Sequence, residues 1–327
     1  MNLTSRRLGR SGPTVSSLAL GAMGMSGGMY GPADEAESIA TVHAALEAGV
    51  TLIDTGDFYD MGRNELLLRK ALAGRRERAL LSVKFGALRG PDGSWTGVDN
   101  RPVAVKNALA HSLTRLGVDV IDIYRPARLD PQVPIEDTVG AITDLVKAGY
   151  VRHIGLSEVG LETVKRAAAV HPICDVQLEY SLVSRGIEDK LLPGLRELGI
   201  GVTAYGVLSR GLLAGSQPKG PRDFRAWLPR FTGENAERNR PMVATLEGLA
   251  QRLGVSATQV AIAWVLSRGE DIVPLVGCRT RTQLSASLAA LEVKLTASQC
   301  AELEQAAAAV AGTRYDAGQM KVLDSER

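Results

Sequence analysis

The 327-residue sequence predicts an α/β fold, and within that class a (β/α)8 TIM barrel, on three observations. Short apolar runs alternate with amphipathic segments along nearly the whole chain, the runs number eight, and several of the helical segments stop at a glycine. Alternation with short connections demands a parallel sheet, since each helix must return the chain to the end where the last strand began. Eight units is the number that closes into a barrel, and glycine is the residue that takes a left-handed helix cap. An open doubly wound sheet is the competing architecture. It wants a glycine-rich fingerprint running straight into a helix, whereas "GAMGMSGG" at 21–28 is followed by "MYGPADEAES".

Taken in order, "RRLGRSGPTVSSL" reads as an N-terminal hairpin that closes the barrel floor. The eight strand candidates are "SSLALG" (16–21), "TLIDTG" (51–56), "ALLSVKFG" (79–86), "VIDIYR" (120–125), "VRHIGLSE" (151–158), "DVQLEYS" (175–181), "GVTAYGV" (201–207) and "DIVPLVG" (271–277). A helical pattern follows each: "EAESIATVHAALEAG", "NELLLRKALAG", "RPVAVKNALAHSLTRLG", "PIEDTVGAITDLVKAG", "LETVKRAAAVH", "IEDKLLPGLRELG", two within 239–268, and "RTQLSASLAAL". Two stretches, 86–101 and 208–238, exceed what a connection needs and carry Gly, Pro, Trp and charge, as loops over a pocket do. The expected organisation is one barrel domain over 1–327.

Composition narrows the function class. At 45% hydrophobic residues, 23% charged residues and a net charge of +2, the chain can bury a large core and shows no basic footprint for nucleic acid or an anionic membrane. A small-molecule partner is the expectation. Cys174, Cys278 and Cys300 are distant and odd in number, which fits reduced thiols in a cytosol. The opening "MNLTSRRLGRSGPTV" lacks an apolar signal core, and no run of about 18 apolar residues occurs. A cytoplasmic location is therefore expected, with oligomeric state open.

In a barrel of this kind chemistry belongs at the C-terminal strand ends. There the second strand ends "IDTGDFYD", the third "VKFG", the fourth "IYRPARLD", the fifth "GLSE", the sixth "QLEYS" and the seventh "AYGVLSRG". Asp54 and Lys84 stand inside apolar strands, where an unpaired polar group is costly. A buried ion pair closing the barrel is the plain explanation of the two. Tyr59, five residues after the aspartate, adds a second: a neighbouring ammonium stabilises a phenolate and lowers a tyrosine pKa from about 10. On that reading Tyr59 is a general acid.

At this point the sequence resembles the aldo-keto reductase superfamily over nearly its whole length. "IDTGDFY", "NELLLRKAL", "VKFG", "SLTRLGVDVIDIY", "LDPQVPIEDTVGAITDLVKAGYVRHIGLSE", "QLEYSLVSR" and "GIGVTAYGVLSRGLL" match family blocks in order, and "GMSGGMYGPADEAESIATVHAALEAG" looks most like the microbial and plant branch of monomeric-type reductases. The resemblance implies NAD(P)H lying across the barrel mouth and reversible hydride transfer to an aldehyde or ketone. It implies Tyr59 as the acid, Lys84 as the group lowering its pKa and Asp54 as the group holding Lys84. It also implies that Ser157 and Gln177 meet the nicotinamide carboxamide, Tyr205 stacks on the ring, and Leu208, Ser209 and Gly211 line the pyrophosphate. Arg279 and Gln283 match positions around the adenosine 2'-phosphate, which favours NADPH, and Ser287 replaces the asparagine that commonly meets adenine. Glu158 stands where Asn is common, and a carboxylate accepts but does not donate.

The resemblance also isolates one departure. Family members end the fourth strand with Tyr-x-x-His-Arg-x-Asp-Pro, and here the positions are Tyr124, Arg125, Pro126, Ala127, Arg128, Leu129, Asp130 and Pro131. Ala127 replaces the histidine that bonds the substrate carbonyl. None of His43, His111, His153 or His171 is placed to substitute. Strand parity puts Arg125 on the same side as Ala127, so either Arg125 supplies a cation over Ala127 or it pairs with an acid in the barrel wall. Arg128 reads as structural. Trp95, Trp227 and Phe231 are candidate pocket walls or anchors of their own loops. The function expected is NADPH-dependent carbonyl reduction, against the alternative of an NADPH-binding sensor with weak or no turnover.

Overall fold

The computed structural model describes residues 3–28, 30–220 and 223–326. Eight parallel strands close into a barrel: β1 (Ala19–Gly21), β2 (Leu52–Gly56), β3 (Leu80–Phe85), β4 (Ile121–Pro126), β5 (Val151–Ser157), β6 (Ile173–Glu179), β7 (Gly201–Tyr205) and β8 (Ile272–Gly277). Each strand pairs with its sequence neighbours, and Leu275–Gly277 of β8 pairs with Ala19–Gly21 of β1 to complete the ring. Helices wrap the outside, with starts and stops that follow from local chemistry. Asp34 accepts from the Glu37 amide at the head of helix Glu35–Glu47. Helix Pro102–Leu116 opens on a proline and ends at Gly117 with φ 67°. Ser256 and Gln259 form a reciprocal capping box on helix Ala257–Leu266.

The hairpin Ser5–Arg7 with Thr14–Ser16 covers the floor, as expected. Its Leu8 and Val15 fill the bottom of the barrel beside Ala19, Leu52, Ile123, Val273 and Leu275. Gly9 is required there, because it takes φ 62° and a Cβ would lie 2.5 Å from the Cys174 carbonyl oxygen and 2.7 Å from that of Gly199. Ser16 belongs to this hairpin, so β1 is shorter than the run 16–21 implied.

Above the apolar floor the inward positions turn polar. Register aligns Asp54 with Ser82, Lys84 with Arg125, and Gln177 with Ser157. The alternation of side chains along each strand therefore delivers a layer of charge directly beneath the mouth.

The two long segments hold secondary structure of their own. Residues 86–101 fold as an antiparallel ribbon, Ala87–Arg89 with Trp95–Val98. The stretch 208–238, whose residues 221 and 222 lie outside the described ones, contains short turns at Ser209–Ala214, Phe224–Trp227 and Pro229–Phe231 and the helix Gly233–Arg238. Leu212, Leu228 and Phe231 pack together with Phe224, Val243 and Tyr315, so Phe231 anchors its own loop. Among the described residues no helix is long and apolar enough to cross a membrane.

Candidate active site

Asp54, on β2, is the hub of the polar layer. Its Oδ1 receives the Lys84 Nζ, and its Oδ2 accepts from Ser82 Oγ at 2.8 Å and from Gln177 Nε2 at 2.8 Å. Gln177 thus turns its donor toward the carboxylate and away from the mouth. Burial pulls the Lys84 pKa down, and the Asp54 charge and hydrogen bond oppose it. Tyr59 follows β2 in a strained turn, since Asp60 and Met61 both take left-handed backbone angles, φ 47° and 55°. The Lys84 Nζ lies 5.1 Å from the centroid of the Tyr59 ring.

One electrostatic expectation is corrected. The phenol of Tyr59 is pushed well above its ordinary value, by burial first and by the Asp54 charge second, while Arg128 pulls the other way. Asp54 largely neutralises Lys84, so burial wins over the neighbouring ammonium. A phenol in that state holds its proton.

Of the two readings of Arg125, the structure shows the wall ion pair and not a pocket cation. Its side chain is fully buried inside the barrel, where Nη1 pairs with Asp175 Oδ2 at 3.0 Å and bonds the Leu156 carbonyl at 3.2 Å, and Nη2 bonds Ser82 Oγ at 3.1 Å. Thr203 donates to the same Asp175 oxygen. Strand parity held, and the destination is the barrel wall. Gly155 makes room for it, because a Cβ there would lie 2.9 Å from the Arg125 Cζ and 2.8 Å from Asp175 Oδ1.

Arg128, read from the sequence as structural, lies over Ala127 instead. Its Nη1 folds back to donate to the Ala127 carbonyl at 2.6 Å, over an alanine only 1% exposed. The four histidines stay away: His43 bonds the Ala71 carbonyl on the outer helices, His111 lies on helix Pro102–Leu116, His153 sits low on β5 opposite Ile123, and His171 caps a helix end.

On the cofactor side, Ser157 ends β5 with its Oγ buried and, among the described residues, without a partner. Next to it, Glu158 takes φ 54°, which explains why Asn, tolerant of left-handed angles, suits this position. The Glu158 carboxylate is consumed by Arg314 at 2.9 and 2.5 Å, by Ser325 Oγ at 2.6 Å and by the Glu179 amide at 2.9 Å. Burial alone would raise its pKa, but Arg314 and these hydrogen bonds hold it down to about 2. Tyr205 is half-buried, with its hydroxyl 3.2 Å from Arg314 Nη1 and 3.4 Å from the Tyr315 hydroxyl.

The remaining expected positions scatter around the mouth. Leu208 precedes a run of left-handed residues, Ser209, Arg210 and Gly211, at φ 45°, 55° and 93°. Ser209 Oγ accepts from Arg230 Nη1 at 3.1 Å. Arg279 reaches across to the Tyr30 carbonyl at 3.0 Å and to that of Pro32, and its amide donates to Gln283 Oε1 at 2.7 Å. Ser287 turns inward, donating to the Gln283 carbonyl at 2.9 Å and facing Cys278 Sγ, because a serine back-bonds its own helix where a longer amide would project. Trp95 is 47% exposed beneath the Arg89 guanidinium and Trp227 is 72% exposed, so neither is buried in a wall here.

The model of the aldo/keto reductase family matches residues 17–308. The chain belongs to that family. It is 40% identical over 317 residues to a probable aldo-keto reductase 1 of Glycine max, spanning 94% of this chain and 91% of that protein. Its fold superposes on the glycerol dehydrogenase AKR11B4 from Gluconobacter oxydans with a TM-score of 0.85 at 29% identity, covering 97% of this chain and 99% of that one. It also superposes on the thermostable aldo-keto reductase Tm1743, solved with the inhibitor epalrestat, with a TM-score of 0.75 at 25% identity over 93% and 100% of the chains. Membership places this chain among oxidoreductases that act on carbonyl compounds.

Sequence reasoning read Arg128 as structural and missed Arg314 and Tyr315 as residues of the mouth. The signal for the first was Ala127, whose small side chain leaves the next residue room to fold back. For the other two it was Glu158, a buried carboxylate in need of a cation.

Proposed function

We propose that this protein is an NADPH-dependent reductase of aldehydes or ketones in which Tyr59 donates the proton. The observation that carries the reading is Ser157. A buried hydroxyl with no partner is costly, and at a strand end facing the mouth it suits a carboxamide, which both donates and accepts. Gln177 lies beside it in register, and the half-buried ring of Tyr205 offers a flat face to a nicotinamide. Arg279 is a cation at the rim of the opposite loop whose guanidinium, among the described residues, bonds carbonyls only, a suitable host for a 2'-phosphate. Bound there, a reduced nicotinamide supplies the hydride to the carbonyl carbon.

The chain's own residues do the rest. Tyr59 donates its hydroxyl proton to the carbonyl oxygen. The phenolate that results lies beside Lys84, and Asp54 holds that ammonium in place. Burial around the phenol excludes water from the developing charge. The expected result for Tyr59→Phe is a loss of roughly 10²–10⁴-fold in kcat with NADPH affinity retained. Equal turnover by the two proteins would refute it.

A second reading, an NADPH-binding sensor, is favoured by Ala127, which cannot bond a carbonyl, and by the strongly held Tyr59 proton. Tight NADPH binding without turnover across a broad panel of aldehydes and ketones would select it.

A further inference from the structure

Arg128 differs from the other enclosed arginines of the barrel interior and mouth. Arg125, Arg210 and Arg314 each hold a carboxylate, Asp175, Glu179 and Glu158 respectively. Among the described residues no carboxylate pairs with the Arg128 guanidinium, whose one hydrogen bond there is the donation to Ala127. The carboxylate whose charge reaches it, Glu158, is already held by Arg314, so the guanidinium keeps donors free of any carboxylate in contact. The backbone around it is nevertheless fixed: Asn100 Nδ2 bonds the Arg128 carbonyl at 2.8 Å, the Ala127 amide bonds the Phe85 carbonyl at 2.8 Å, and Asp130 caps the turn through the amides of Asn100 and Gln132. The guanidinium is carried on that fixed backbone, and its bond to Ala127 turns the side chain back over the strand end.

Its position follows from the strand end it leaves and its bond to Ala127, and the groups that feel its charge agree with it. Tyr59 beyond β2, Lys84 on β3, Glu158 beyond β5 and Tyr205 on β7 all interact with it. Arg128 leaves the ring just past the end of β4, beside β3, and its guanidinium folds over Ala127 at the same end of the barrel at which Tyr59 leaves β2. We propose that Arg128 is a catalytic residue of this reductase: its guanidinium, folded over Ala127, receives the substrate's carbonyl oxygen and stabilises the negative charge that grows there as Tyr59 delivers its proton. This rests on the reductase reading and deepens it. Ala127 becomes intelligible as the small residue across which the arginine folds. A permanent cation needs no protonation step, and its remaining N–H groups supply the donors that an oxyanion wants.

The test uses the full-length protein, with Arg128→Met and Arg128→Lys as variants. Arg128→Met is expected to lower kcat/KM for a simple aldehyde by about 100-fold, mostly in kcat, with NADPH affinity within about threefold. Arg128→Lys, which keeps the charge, is expected to recover part of that loss and controls for folding. A second readout needs neither cofactor nor turnover: trifluoroacetate, a small carboxylate mimic of the oxyanion, is titrated by 19F line broadening. Binding that the aldehyde displaces and that Arg128→Met abolishes is expected. Turnover within about threefold of the parent in Arg128→Met, or unchanged trifluoroacetate binding, would overturn the proposal. If the parent reduces no carbonyl, the reductase reading falls, and the trifluoroacetate titration still decides whether Arg128 is an anion-binding group.

Discussion

Replacing Arg125 with methionine separates a wall ion pair from a substrate-facing cation. The change removes a fully buried guanidinium and leaves Asp175, also fully buried, with Thr203 and the Cys174 thiol as its nearest partners. Breaking a buried pair from one side costs about 3–5 kcal/mol, because the stranded charge remains in low dielectric. With an unfolding entropy of roughly 2.1 cal/mol/K per residue, a chain of this length has about 0.7 kcal/mol/K, so a loss of about 4 kcal/mol lowers Tm by about 6 °C. The assay is paired thermal and urea unfolding of the parent, Arg125→Met, and the double variant Arg125→Met with Asp175→Leu. The double variant is expected to regain most of the loss, since an apolar pair of similar volume replaces an ion pair well. A single variant within about 1 kcal/mol of the parent, or a double variant that falls further, would refute the wall-pair reasoning.

Three further outcomes follow from the same geometry. Glu158 has a folded pKa of about 2 against an ordinary 4.5, so its contribution is complete above the unfolded value and disappears as pH falls toward about 2. Glu158→Gln is therefore expected to be less stable than the parent by on the order of 3 kcal/mol at pH 7, with the gap closing through that acid window in urea titrations at successive pH. Gly155→Ala, whose Cβ would meet both Arg125 and Asp175, is expected to lose about 1–3 kcal/mol in the same unfolding assay. Ser157→Ala, measured by NADPH fluorescence, is expected to weaken cofactor binding by about 5–30-fold, the equivalent of about 1–2 kcal/mol for a hydrogen bond, with stability unchanged or improved.

The barrel was legible because its signals are local. Each strand is an apolar run of fixed period, and all eight fall where the runs do, with shifts at the ends. β6 starts at Ile173, two residues before the expected Asp175, because Ile173 pairs with Ile154 across the sheet. Asp54, Lys84 and Tyr59 could be grouped because two of them lie on neighbouring strands and the third follows directly after one of these. Arg125 could be put on the inner side of β4 by parity alone, but its partner Asp175 is 50 residues away across the barrel, and no local pattern states which inner charges meet. The same limit hid the C-terminal segment. Residues 308–326 have no sustained periodicity, yet Arg314, Tyr315 and Ser325 come down on Glu158 and Tyr205. The Tyr59 pKa was misjudged for a related reason: proximity to Lys84 was readable, and the depth of burial was not.

The central claim is hydride transfer to a carbonyl at the Tyr59 site, and a single-turnover reaction with C4-deuterated NADPH and an aldehyde tests it most directly. Deuterium at the alcohol carbon of the product, with the transfer lost in Tyr59→Phe while NADPH still binds, is the predicted result. NADPH held tightly with no deuterium passed to any aldehyde or ketone would contradict it.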